Sequence, residues 1–312
     1  MDNKKRALEW ESRWALPVAL LTFLAVVLLV GSGLLNQVSG DHEAEVLRSV
    51  HEHSSSVTLN GLLQAVGFGL LVLPLLYLFR AVRARSPQVR GQLIGLVIAA
   101  PLFLAVSGAL SVGARTEAAD QFVKGEAKST LSAKQANEDC SEAREEEDAK
   151  EFREEFEPER GETPLAACER QQSEDDEAEN AIGEASLAAV SSGLGIAGGL
   201  GFLVALFYSN LWAMRAGLLT RFWSSLGMAS GIAFLLGPLF LITLIWMLYF
   251  ALLIIGRVPG GRPPAWEAGE AVPWPTPGEK AAAELEPGEP LAEPEENGSA
   301  TGGPKRKRKQ RD

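Results

Sequence analysis

"ALPVALLTFLAVVLLVGSGLL", Ala15 to Leu35, contains no Asp, Glu, Lys, Arg or His. An α-helix rises about 1.5 Å per residue and the hydrocarbon of a bilayer is about 30 Å thick, so about 20 apolar residues span it. A core helix of a soluble protein is rarely so long and so free of charge. Three further stretches pass the same test, at about 60–79, 93–112 and 187–212. The chain is therefore read as an all-α, polytopic membrane helical bundle. "NKKR" (Asn3–Arg6) precedes the first run, as in a secretory signal. That run exceeds the roughly 7–15 apolar residues of a signal core, and no A-x-A-like site follows it, so it reads as a retained anchor.

A fifth apolar region, Leu226–Gly256, is too long for one upright span and short for two. Gly237-Pro238 interrupts it near the middle. Proline removes a backbone donor and disfavours helix at the residue before it, so a break is expected there. The expectation is a tight hairpin of two short helices at about 223–236 and 239–256, giving six spans; one long kinked span, giving five, is the alternative.

Lys and Arg near span ends favour the cytoplasm. Lys4, Lys5, Arg6 and Arg13 precede span one, Arg80, Arg83, Arg85 and Arg90 lie between spans two and three, and Arg215 and Arg221 follow span four. Alternating spans put all of these on one side. Arg257, Arg262 and the terminal "KRKRKQRD" join them if the fifth region crosses twice. The N- and C-termini are then cytoplasmic, and residues 115–186 lie outside.

That outer segment explains the net charge. Arg115–Leu187 holds 23 acidic and 9 basic residues, a net of −14, whereas the whole chain is −11. Glu117–Phe156 is rich in helix formers, with Glu146–Lys150, Lys150–Glu154 and Arg153–Glu157 spaced for ion pairs on a helix face. "EPERGETP" (Glu157–Pro164) is turn chemistry, and a second acidic helix is expected from about Leu165 to Ala185. The segment reads as a solvated helical protrusion; it contains no calcium loop pattern. The only two cysteines, Cys140 and Cys168, both fall in it. An oxidising compartment permits a bridge between them. For the Cα atoms to come within about 7 Å, a helix break near "NEDC" (Asn137–Cys140) is expected.

From residue 257 onward Pro, Gly, Glu and Ala dominate, and 257–312 reads as a disordered tail. Trp266 and Trp274 are expected at the membrane interface, where indoles are favoured. The terminal basic run is matched to anionic lipid headgroups; nucleic acid is a weaker match. "NGS" at Asn297 fits a glycosylation acceptor, but a cytoplasmic tail would not meet that machinery.

All three histidines, His42, His51 and His53, lie in "DHEAEVLRSVHEH" on the outer side. On a helix His42, Glu45, Ser49 and His53 fall on roughly one face. Imidazole and carboxylate suit zinc or copper, so the histidines are candidate metal ligands, although no H-E-x-x-H is present and a plain polar helix is the simpler reading. Gly195 and Gly199 in "SSGLGIAGGLGFL" are four apart, a spacing that lets helices approach closely. The spans carry no ionisable residue at mid-depth, which counts against ion-coupled transport. The chain contains no nucleophile elbow, phosphate-cradling loop or haem-ligand pair, and neither an enzymatic activity nor a cofactor is assigned.

"LYLFRAVRARSPQVRG" (Leu76–Gly91), "RAGLLTRFW" (Arg215–Trp223) and "GGRPPAWEAGEAVPWP" (Gly260–Pro275) are similar to segments of uncharacterised multi-pass membrane proteins of high-GC actinobacteria. The resemblance covers the membrane parts and the start of the tail, and leaves out the acidic segment. It implies a bacterial plasma membrane and a helical fold, with no catalytic residues to carry over. The expected role is a non-enzymatic scaffold or envelope component with the bilayer and a protein as partners. A transporter or transport accessory for a small or apolar solute is the alternative, and an extracytoplasmic metal sensor a third.

Overall fold

The computed structural model describes residues 3–35, 38–40, 42–146, 152, 156, 158 and 161–275 of the 312-residue chain. One compact unit extends to Pro273; Trp274 and Pro275 open a second that otherwise lies outside the described residues. All regular elements among the described residues are helical.

Among the described residues four helical stretches are long and apolar enough to cross a bilayer: Lys4–Leu34, Ser54–Arg85, Gly91–Val123 and Ala188–Ala216. Each outruns its apolar core. The first helix, α1 (Asn3–Leu34), begins in the charged "NKKRALEWESR". The second stretch is two helices in near-continuity, α3 (Ser54–Leu70) and α4 (Val72–Arg85). Pro74 has no N–H to give the carbonyl of Leu70, so the helix jogs there. Leu71 N–H instead donates to Phe68, a tighter three-residue closure, and Leu75 N–H reaches Leu71 only at 3.5 Å. The third stretch becomes α5 (Ile94–Val123), which continues past the membrane length into the acidic region. The fourth is α8 (Ala188–Ala216), closed by Gly217 at φ +75°, a left-handed cap that favours glycine.

Around the ring, α1 packs on α3, α3 on α5 and α5 on α8, while α4 touches α1, α5 and α8 from within. Leu75, Tyr77, Leu78 and Phe79 of α4 are accordingly buried on every side. The α5–α8 seam brings two backbones close together. A Cβ on Gly198 would stand 2.9 Å from the Leu104 backbone nitrogen, and one on Gly201 3.0 Å from Ala100 Cβ. Glycine there allows the two backbones to approach.

The fifth apolar region does break where Pro238 predicts. Helices α9 (Arg221–Leu235) and α10 (Phe240–Ile254) are separated by a 3-10 turn at Gly237–Leu239, with Gly237 at φ +60°. They run antiparallel: Thr243 Oγ1 donates to the Ser230 carbonyl (2.9 Å), and Trp246 Nε1 to the Trp223 carbonyl (3.0 Å). Trp223 also stacks on Tyr249 with ring centroids 3.5 Å apart. The hairpin packs α9 on α8 and α10 on α1. The chain therefore leaves α10 at the end of the bundle where it left α8. Each arm of 15 residues is about 22 Å long, below the length of a full upright span.

The disordered-tail expectation is corrected for 257–275. The chain turns back after α10, forms the short α11 (Pro264–Ala268), and buries Val258, Ala265 and Trp266 against the bundle. Trp266 is thus inside the protein and not at the lipid interface. Its ring stacks on Tyr77 and its Nε1 donates to the Leu218 carbonyl (2.8 Å), a defined partner for both the apolar face and the polar edge. Residues 276–312, including the basic terminus and Asn297, lie outside the described residues.

At the opposite end, α2 (Glu43–Glu52), the far part of α5, α6 (Ala133–Glu146) and α7 (Pro164–Glu184) form an acidic head. It is packed, not a free protrusion. Ala44, Leu47 and Val50 of α2 meet Ala118 and Ala119 of α5 and Ala178 and Ala181 of α7. Small side chains let charged helices come close while their carboxylates stay in water.

Candidate functional site

The arginine-rich end is organised by two buried charges. Arg85, at the last turn of α4, has its side chain fully enclosed, and Glu11 of α1 is nearly so. Arg85 donates from Nη1 and Nη2 to the two carboxylate oxygens of Glu11, the second bond being 2.9 Å. Its remaining donors go to backbone carbonyls: Nε to Ala265 (2.8 Å), Nη1 to Ala81 (3.0 Å) and Nη2 to Trp266 (3.3 Å). A planar fork suits a bidentate carboxylate, and the full use of its donors makes the buried charge tolerable. Aromatic rings close over the pair. Tyr77 Oη donates to the Glu11 carbonyl (3.0 Å), its ring lies between Trp10 and Trp266, and Trp266 Nε1 donates to Leu218 (2.8 Å). The knot thus ties α1, α4, the α8–α9 turn and α11 together. The stretches Leu76–Gly91, Arg215–Trp223 and Gly260–Pro275 meet in it through Arg85, Leu218 and Trp266.

Sequence reasoning missed this knot. Glu11 and Arg85 are 74 positions apart, and each reads alone as a flanking charge. The one available hint was that Arg85 sits at the end of an apolar helix face, at a spacing of four from Ala81 and eight from Tyr77.

At the acidic end the structure joins Cys140 to Cys168, with Cα atoms 6.0 Å apart. The helix break comes elsewhere than near Asn137–Cys140: α6 runs unbroken through Cys140, and the interruption lies at 124–132. Three local features put it there. Gly125 takes φ +68°. Ser132 and Gln135 form a reciprocal capping box that starts α6. Between them, the Asp176 carboxylate of α7 accepts from Ser129 Oγ (2.8 Å), Leu131 N–H (3.1 Å) and the Thr130 backbone N–H. Desolvation pushes the Asp176 pKa up, but these donors outweigh it and hold the carboxyl below its usual range. With Asn180 Nδ2 on the Lys128 carbonyl (3.2 Å) and Asn137 Nδ2 on Glu169, the segment 128–140 runs antiparallel to α7. Phe152 packs under the bridge beside Phe156 and Leu165. The rest of the expected helix beyond Glu146 lies outside the described residues.

The three imidazoles are not brought together. His42 Nδ1 is 3.3 Å from Asp175, His51 Nδ1 is 2.9 Å from Asp120, and His53 Nδ1 meets the Ser49 carbonyl at 3.0 Å. His53 sits at the junction of α2 and α3, so the expected shared face ends before it. Among the described residues no group of three or more His, Cys, Asp or Glu side chains is placed to hold a metal ion. His42 and His51 instead join Arg48, which reaches Glu174 at 2.7 Å, in docking α2 to its neighbours, whereas His53 bonds within its own helix turn. Asp175 also accepts from the Ala44 N–H (3.0 Å), capping α2 from outside the helix.

Gly195 and Gly199 face different neighbours. A Cβ on Gly195 would meet Ser107 Oγ of α5 at 2.9 Å, and one on Gly199 would meet Leu235 of α9 at 3.0 Å. Both serve packing within the chain, on two sides of α8.

No protein family, curated protein or solved structure matches this chain.

Proposed function

We propose that the protein is a non-enzymatic scaffold of a bacterial plasma membrane, six spans anchoring a disulfide-closed acidic head on the outer side. The observation that carries this reading is where the bundle keeps its buried charges. Glu11 and Arg85 satisfy one another at one end, and the mid-depth of the four long helices holds no ionisable side chain. A coupled carrier needs charge facing a path at mid-depth. A rigid anchor does not. The spans are counted as six by taking α9 and α10 as two short crossings; their antiparallel hairpin supports a C-terminus on the side of the arginines. The plasma-membrane assignment draws on the actinobacterial resemblance, and the arginine excess at one end supports placing that end in the cytoplasm.

The test uses the full chain. A photo-crosslinking residue at Lys134 or Glu138, both exposed on the head, should give a discrete protein adduct in intact cells of the native host. Proteoliposomes of the purified chain should hold entrapped ions and dyes as tightly as empty ones. Protein-dependent release of solute, with no adduct from the head, would overturn the scaffold reading in favour of transport.

A further inference from the structure

Against the aromatic side of the buried knot, with Trp10 and Tyr77 among its lining residues, a groove of about 170 Å³ opens on the outer surface of the bundle between α1 and α4. Its two walls are helical stripes. Trp10, Trp14 and Val18 are successive four-residue steps on α1, facing Leu73, Leu76 and Arg80 of α4. The helices run antiparallel, so Arg80 lies level with Trp10 and Leu73 level with Val18. From Trp10 to Val18 is about 12 Å along the axis. The groove therefore begins at a guanidinium among indoles and continues about two helical turns into the apolar zone.

Arg80 and Arg85 stand five residues apart and have opposite fates. The charge of Arg85 is consumed by Glu11. Arg80 is exposed, its guanidinium 5.2 Å above the Trp10 ring, and among the described residues it has no carboxylate partner. Arg13, also exposed, lies in the same turn of α1 as Trp14. An indole holds the cation at the groove mouth without neutralising it. Trp14 is 45% exposed, a large apolar surface for a groove wall at the membrane boundary.

We propose that this groove is a binding site for one anionic phospholipid, its phosphate at Arg80 and one acyl chain along Trp14, Val18, Leu73 and Leu76. The charge selects an anionic headgroup over a zwitterionic one, and the apolar depth distinguishes a lipid from free phosphate. Basic pockets between transmembrane helices are a known way to hold such headgroups. The inference requires that the bundle sits in a bilayer; it does not depend on which side the arginines face or on the scaffold role.

The experiment is native mass spectrometry of the full chain released from nanodiscs of equal phosphatidylglycerol and phosphatidylcholine with identical acyl chains. The wild type should retain the anionic lipid about fivefold over the zwitterionic one, the ratio for one surface charge worth about 1 kcal/mol. Arg80→Gln should bring that ratio close to one. Trp14→Ala should lower retention of both lipids, and inorganic phosphate should not displace them. A variant with the basic residues of 305–311 all changed to Gln should keep the preference. Undiminished preference in Arg80→Gln, or its loss in the tail variant, would overturn the site. Because Arg80 is exposed and outside the knot, the variant should unfold at the wild-type temperature, which the same preparation reports.

Discussion

Glu11→Ala should release the far end of the described chain without touching it. The substitution leaves the Arg85 guanidinium enclosed, its side chain 0% exposed, with three backbone carbonyls and no counter-charge. Breaking one partner of a buried ion pair costs about 3–5 kcal/mol. The cheapest relief is local: α11 lifts away and lets water reach Arg85, giving up the bonds to Ala265 and Trp266 and the Trp266–Leu218 bond. In the closed state Arg262 is held by its Nε on the Leu253 carbonyl (3.1 Å) and by Trp266 beneath it. Limited trypsinolysis after Arg257, whose next residue Val258 is buried in the closed state, therefore reads the opening in detergent. Where reclosing outpaces cleavage, the rate follows the open population, and 3 kcal/mol corresponds to an increase of about a hundredfold. Glu11→Ala combined with Arg85→Met should recover much of the protection, since the apolar pair leaves no buried charge. Cleavage of Glu11→Ala at the wild-type rate, or a double variant no better protected than the single, would refute the reasoning.

Three other outcomes follow from the same geometry. Cys140→Ser should destabilise the head by about 3–4 kcal/mol in the chain-entropy estimate for its 28-residue loop; two free thiols in native-membrane protein by non-reducing mass spectrometry would contradict the bridge. The lowered pKa of Asp176 means its contribution is present above the ordinary carboxylate pKa of about 4 and is lost as pH falls through the lower folded value. Hydrogen exchange at 129–131 should accordingly be steady near neutrality and accelerate in acid, and Asp176→Asn should remove that acid-dependent step; an unchanged acid profile in the variant would count against it. Gly198→Ala must push α5 backbone aside at Leu104 and should cost about 1–3 kcal/mol, whereas Gly193→Ala, with nothing within 4 Å, should not destabilise the bundle; equal thermal midpoints for the two variants would place the tight seam elsewhere.

The long apolar helices were legible in the sequence because hydrocarbon imposes a one-dimensional rule. A run such as Ala15–Leu35 declares its element by length and lack of charge alone. Pro238 was equally readable, since its effect on the backbone is local and α9 and α10 meet where it predicts. The capping box at Ser132–Gln135 was also written in the sequence, but uniform helix-forming composition around it hid the interruption at 124–132. Composition misled for 257–275: a Pro- and Gly-rich stretch lacks a core of its own, and that says nothing about the surface it can borrow. Glu11 and Arg85 each look like a solvated flanking charge until folding places them in one enclosed space, where leaving either unpaired costs several kcal/mol. Local sequence determined most of the helical segments and which of them are long and apolar enough to cross a membrane, because backbone and solvent act on each segment separately. Only the tertiary structure decided which histidine met which carboxylate, which arginine was neutralised and which was left exposed, because those choices depend on burial that distant segments create together.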